Sequence, residues 1–141
     1  MRMTKDKYQE TLSLIGLNPN GFANQFYGHM FSQNEVFEET FRNSDMRLQK
    51  VELVKGFLMI FSLLEDQDKL EEFLVDLGIR HVCYEVLPEF YQDIKVTLYK
   101  SIRNLHGDSW TEDLDVSWSE LIDFITQKML DGTNQITVNR M

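Results

Sequence analysis

The sequence predicts an all-α domain. Three observations carry that expectation. Only two prolines, Pro19 and Pro88, interrupt 141 residues. The stretches around them are rich in Leu, Phe, Glu, Lys and Gln, which suit helix better than sheet. Apolar positions recur at helical rather than alternating spacing. One domain over residues 1–141 is expected, because a chain of this length buries a single substantial core and not two enzymatic ones. A hydrophobic fraction of 43% and an aromatic fraction of 12%, with ten Phe, are high for a chain that is 26% charged, and favour a packed interior.

The elements follow in order. Tyr8, Leu12, Leu14 and Ile15 mark a first helix, and residues 16–20, with Asn18 and Pro19, break it. Phe22, Phe26, Tyr27, Met30 and Phe31 mark a second, and a short turn of helix at Val36 and Phe37 leads to Phe41. After Asn43 and Ser44, Asp45 is a suitable N-cap for a long helix. Its apolar face, Leu48, Val51, Leu53, Val54, Phe57, Leu58, Phe61 and Leu64, is wide enough to predict heavy burial. Residues 65–68 form a polar loop, and Leu70, Phe73, Leu74, Leu77 and Val82 continue with helical spacing despite Gly78. Pro88 suits the first turn of the next helix, where its missing N–H is no loss, and Tyr91, Ile94, Leu98, Ile102 and Leu105 follow. Residues 106–109 close it. Thr111 then caps a last helix whose Glu112 and Asp113 complement the N-terminal dipole and whose inner side is Trp118, Leu121, Ile122, Ile125 and Met129. The tail 132–141 is polar and reads as frayed. Repeats, low-complexity tracts and Gly/Ser linkers are absent, so six or seven helices must share one centre.

Charge and motif content exclude several functions. A formal net charge of −9, with no run of Lys or Arg, would repel nucleic acid and anionic lipid. The longest apolar stretch, residues 56–64, falls short of the roughly 20 residues a membrane span needs. The N-terminus carries no apolar signal core, and the single cysteine, Cys83, cannot form an internal disulfide, so a cytoplasmic location is expected. There is no Cys-x-x-Cys pair, His-Glu-x-x-His, phosphate loop or G-x-S-x-G. One histidine remains in unusual company: His81, in DLGIRHVCYEVLPEFY, at the end of an apolar helix with a break and an aromatic close behind. On pattern alone such a histidine is more often a core or boundary residue than a ligand.

Three stretches shift that balance. QFYGHMF, TFRNSDMRLQKVEL and LGIRHVCYEVLPEFY, followed by HGDSWTEDLDVSW, resemble the globin family over nearly the whole chain. The similarity is greatest to bacterial single-domain globins and the globin portion of flavohemoglobins. It implies a globin fold of six to eight helices packed around a heme pocket, with heme b (iron protoporphyrin IX) as cofactor. The first stretch resembles the family's second-helix motif, which puts Tyr27 over the iron. The second resembles the corner phenylalanine, the distal glutamine and an apolar residue one turn on, which fall on Phe41, Gln49 and Leu53. The third resembles the proximal segment and implies His81 as the iron ligand, with Arg80, Tyr84, Val86 and Tyr91 around it and Leu98 walling the pocket. Arg80, or alternatively Arg47 or Lys50, would pair with a propionate, a solvated surface charge being the equal alternative.

The sequence also departs from that family. Glu85 and Lys95 stand where relatives favour Gly or another small residue. The acidic residue that joins the proximal histidine and tyrosine in flavohemoglobins has no clear equivalent near Thr133; Glu85 either substitutes for it or, the favoured reading, faces water. His29 and His106 read as solvated, Cys83 as small and structural, and the methionines as core filling. One imidazole leaves the sixth iron position open to oxygen, nitric oxide or carbon monoxide, and Tyr27 with Gln49 supplies donors for the charge that a bound diatomic gas develops. Two donors imply slow release, which suits nitric oxide dioxygenation, a reaction whose multiple turnover would need a separate reductase as electron donor. The competing readings are a gas sensor signalling to a partner or transducer domain, and a heme-free interaction domain; a homodimer is left open.

Overall fold

The computed structural model describes residues 4–82, 86 and 88–139, with side chains through residue 135. Among the described residues the chain is helical apart from short connections and has no strand. A 3-10 turn at Lys5–Tyr8 leads into α1 (Gln9–Leu17), α2 (Pro19–Gln33), α3 (Glu35–Thr40), α4 (Met46–Leu63), α5 (Gln67–Val82) and α6 (Phe90–His106); a second 3-10 turn, Gly107–Ser109, precedes α7 (Glu112–Asn139).

The boundaries follow local chemistry. Asn18 both ends α1 and caps α2, its side chain accepting from the Gly21 N–H at 3.0 Å, so the α1–α2 break is a single residue rather than five. Asn34 does the same for α3 through the Phe37 N–H. Asp45 caps α4 as expected, accepting from Arg47 and Leu48, and Thr111 caps α7 through Leu114. Pro88 does not open α6; it lies in the preceding turn, its carbonyl accepting from Tyr91, and the helix begins at Phe90. Gly107 ends α6 with φ +53°, a left-handed conformation that favours glycine.

Around one core, Ile15, Phe22, Met30, Leu64, Leu70, Leu74, Ile102, Trp118, Leu121 and Ile122 are essentially inaccessible. The most extensive helix pair is α5 with α7. Their backbones meet at two glycines: a Cβ on Gly78 would land on the Met129 carbonyl oxygen, and one on Gly132 on the Val75 carbonyl oxygen. Gly132 and Thr133, expected in a frayed tail, are therefore buried in α7. Burial of α4 is narrower than its sequence predicts. Phe57, Ile60, Phe61 and Leu64 face inward, but Leu48 is 56% exposed, and Val51, Leu58 and Met59 also face outward, because one helix cannot bury an apolar surface that wraps most of its circumference.

His106 is a clear correction. It is buried at the end of α6 rather than solvated. Its Nε2 lies 2.6 Å from Thr11 Oγ1, which accepts from Trp118 Nε1 at 2.9 Å, and its Nδ1 lies 3.1 Å from Ser109 Oγ. Tyr8 donates to the Ser117 carbonyl at 3.0 Å and packs edge-on against Trp118, completing a polar clasp of α1, α6 and α7. Burial brings His106 to the network because each polar atom taken from water needs a partner.

Candidate functional site

Tyr27 faces inward from α2 and is 7% exposed. Its ring stands 5.9 Å from both Phe31 and Phe41, and Phe41 is 4.9 Å from Phe37, which in turn packs edge-on against Phe90 at 5.5 Å. The Tyr27 hydroxyl donates over a long 3.5 Å to the main-chain carbonyl of Gln49, in the first turns of α4. Burial pushes the phenol up to about 12, so it stays a neutral O–H donor. An aromatic wall with one hydroxyl at the start of α4 results. Gln49 and Leu53 are half-buried on the same helix, and Leu53 packs against the core cluster that contains Tyr27 and Phe41.

The second group lies near the end of α5. His81 is half-buried, and its Nδ1 is 2.7 Å from the Leu77 carbonyl oxygen. A carbonyl can only accept, so Nδ1 carries the hydrogen and, in the neutral ring, the lone pair lies on Nε2. Desolvation lowers the pKa of His81, the bond to Leu77 opposes that shift, and the charge of Arg80 adds to it. The ring is thereby held as a neutral base with a defined tautomer, the form in which imidazole binds metals. Val86 is buried, and its N–H donates to the His81 carbonyl at 3.1 Å, closing the helix end.

Tyr91 and Leu98 are buried on α6. The Tyr91 hydroxyl lies 2.8 Å from Thr133 Oγ1, and Thr133 donates to the Gly78 carbonyl at 2.9 Å, so Tyr91 is the donor in the first bond. Burial raises the Tyr91 pKa, against a smaller opposing effect of the Thr133 bond. Arg80 Nε pairs with Asp76 on its own helix at 3.1 Å, both side chains more than half exposed. Tyr84, Cys83 and Glu85 lie outside the described residues.

The structure thus joins Tyr27 to Phe41 and to the Gln49 backbone, and places Tyr27, Phe41, Val86, Tyr91 and Leu98 in one core cluster. The Leu77 carbonyl and the link from Thr133 to Gly78 escape sequence reading. The only available signal was a Gly-Thr pair in a helix that also carries a buried apolar stripe. Two surface clefts, one near Lys95, Asp123 and Phe124 and one near Tyr8, Leu12 and Leu58, include none of these residues. Among the described residues, no group of three or more His, Cys, Asp or Glu could hold a metal ion, and no helix is long and apolar enough to cross a membrane.

The family model described as Globin matches residues 24–129. Over 134 residues the chain is 21% identical to a flavohemoprotein of Vibrio cholerae, covering 94% of this chain and 34% of that protein. Over 119 residues it is 23% identical to a flavohemoprotein of Rhizobium meliloti, covering 83% of this chain and 30% of that protein. The chain spans about a third of the length of the curated relatives it matches. A hexacoordinated heme protein from an anhydrobiotic tardigrade superposes with a TM-score of 0.81 at 12% identity, covering 92% of each chain, a likeness of fold.

Proposed function

The chain belongs to the globin family, and on that premise we propose that it is a heme protein in which His81 ligates the iron and Tyr27 with Gln49 faces a diatomic gas. The observation that carries the reading is the fixed tautomer of His81, whose Nδ1–H is committed to the Leu77 carbonyl while the ring is held neutral. A neutral imidazole with its Nδ1–H so committed would suit an iron whose other ligands arrive with the cofactor. Heme b would supply that iron and an open sixth position for oxygen, nitric oxide or carbon monoxide.

The protein's own contribution is positioning and polarity. Tyr27 brings a neutral O–H donor packed among aromatic rings, which would exchange its long bond to the Gln49 carbonyl for one to the ligand, and a hydrogen bond to a polarised ligand is worth about 0.5–1.5 kcal/mol, or more where water is excluded. Phe41, Leu53, Val86 and Leu98 supply apolar walls. Tyr84 belongs to the proximal side in this reading, and Arg80 would exchange its surface pairing with Asp76 for a propionate. Slow gas release from this donor set favours oxygen capture, with nitric oxide dioxygenation to nitrate as the reaction it would support given a separate reductase. Oxygen-loaded protein mixed rapidly with nitric oxide should then turn ferric in a fast phase that yields nitrate; no such phase would limit the protein to binding.

Visible absorption of the purified protein, with dithionite and then carbon monoxide, tests the central proposal beside His81→Ala. A Soret band that moves with carbon monoxide and is weakened or altered in the variant supports it. Absence of a band after heme is added refutes it. Gas sensing is the second reading, favoured by one observation: the helix that carries His81 is packed backbone to backbone on α7 at Gly78 and Gly132. Under that reading gas binding changes oligomeric state or partner affinity.

A further inference from the structure

Two adjacent peptide carbonyls in the last turns of α5 are each held by a side chain. The Leu77 carbonyl accepts from His81 Nδ1, and the Gly78 carbonyl accepts from Thr133 Oγ1. Thr133 is 1% exposed and in turn receives the Tyr91 hydroxyl at 2.8 Å. One chain of hydroxyls therefore runs from α6 through α7 into α5 and ends three residues before His81, on the same helical face. The backbone is already seated there. Met129 lies so close that a Cβ on Gly78 would come within 2.8 Å of the Met129 Cα, so α5 cannot slide or rotate over α7 without losing contact.

We propose that Thr133, with Tyr91 behind it, is a positioning residue for His81: it anchors the helical turn that bears the imidazole and so sets how firmly, and at what angle, the ring meets the iron. The proposal rests on His81 being the heme ligand. Its physical basis is that the outer partners of a metal-ligating imidazole fix its orientation, and their loss costs roughly 10–100-fold in metal affinity or activity. Here the anchoring is indirect, through the peptide carbonyl beside the one that holds the ring. Thr133→Val keeps the shape and removes the hydroxyl, leaving Tyr91 without its acceptor and Gly78 without its second donor.

The test uses the heme-loaded chain in the ferrous, gas-free state. Thr133→Val should shift the iron–histidine stretching band in resonance Raman spectra and transfer heme to a heme-free acceptor protein roughly 10-fold faster than wild type. Thr133→Ser, which keeps the hydroxyl, should restore both. Tyr91→Phe leaves the Thr133–Gly78 bond in place, so it should move the band in the same direction but less, and it carries the test if Thr133→Val does not fold. An unshifted band in Thr133→Val, or in Tyr91→Phe where that variant stands in, overturns the proposal, as does a Ser variant as altered as Val. Failure of the underlying heme reading looks different: wild type itself would then show no iron–histidine band, or a band that survives in His81→Ala.

Discussion

Thr11→Val puts the polar clasp at the far end of α7 to a quantitative test. Thr11 is fully buried; its Oγ1 accepts from Trp118 Nε1 at 2.9 Å and lies 2.6 Å from His106 Nε2. Since Trp118 is always the donor there, the Thr11 hydroxyl hydrogen is available for the imidazole, and one hydroxyl serves two buried groups. Valine has nearly the same shape but satisfies neither. Each of the two buried polar groups left unpaired costs about 1–3 kcal/mol, and the extra buried methyl returns about 0.8 kcal/mol, so the net loss should be roughly 1–5 kcal/mol. That is a large share of the roughly 5–15 kcal/mol by which a domain is stable. Thr11→Ser, which keeps the hydroxyl and loses a methyl, should cost only about 1 kcal/mol. Urea unfolding at pH 7.5, followed by tryptophan fluorescence and helical ellipticity, measures both. A valine variant within about 0.5 kcal/mol of wild type, or a serine variant as damaged as valine, would refute the two-partner role of the hydroxyl.

Three further outcomes concern His106, Tyr27 and Gly78. The His106 pKa is lowered by desolvation, partly offset by Glu10 at 3.7 Å, so the folded state binds a proton less readily than the unfolded chain; its share of stability is complete above the unfolded value of about 6.5 and lost as pH falls through the lowered folded value, and His106→Gln should flatten that part of a stability–pH curve between pH 7.5 and 5. Tyr27→Phe should speed oxygen release from the heme-loaded protein by roughly 2- to 12-fold, the equivalent of one hydrogen bond, and an unchanged stopped-flow rate would remove Tyr27 from the gas site. Gly78→Ala should destabilise the fold by about 1–3 kcal/mol in urea even though alanine is the better helix former, because the Met129 backbone leaves no room for a Cβ; a neutral or stabilising effect would mean that α5 and α7 can part without loss.

What the sequence disclosed was what is local. Asp45 and Thr111 mark helix starts because a cap acts on amides two or three residues away, and each start is visible in a short window, whereas Asn18 with Pro19 reads only as a break and its capping of α2 comes from the structure. Positions that depend on a distant helix were not visible. His106 looks solvated beside Gly107, yet its partner Thr11 is 95 residues away in sequence. Gly78 looks like a weak point in a helix until Met129 is laid across it, and Thr133 looks like tail until its hydroxyl meets Gly78 and Tyr91. The outward Leu48, Val51 and Leu58 were misassigned because an apolar count cannot say which part of a helix faces its neighbours. At the site, spacing alone offered His81 as one histidine at an apolar helix end; the resemblance supplied Tyr27, Phe41 and Gln49, and the structure then brought Tyr27 to Phe41 and to the Gln49 carbonyl.

The two buried networks share one helix but hold different things. Around Trp118, α7 fastens α1 and the end of α6; around Thr133 it fastens α5 and the start of α6. Fifteen residues of helix separate these positions, roughly 22 Å along the axis, and among the described residues the hydrogen bonds of the two networks share no side chain. Perturbations farther apart than about 7–10 Å with no shared partner add to within about 0.5 kcal/mol. Thr11→Val and Thr133→Val in one chain should therefore lose the sum of their separate stabilities, while only the second shifts the iron–histidine band. A coupling energy above about 1 kcal/mol, or a band that moves with Thr11→Val alone, would show that α7 transmits strain along its length and would join the clasp to the heme side of the fold.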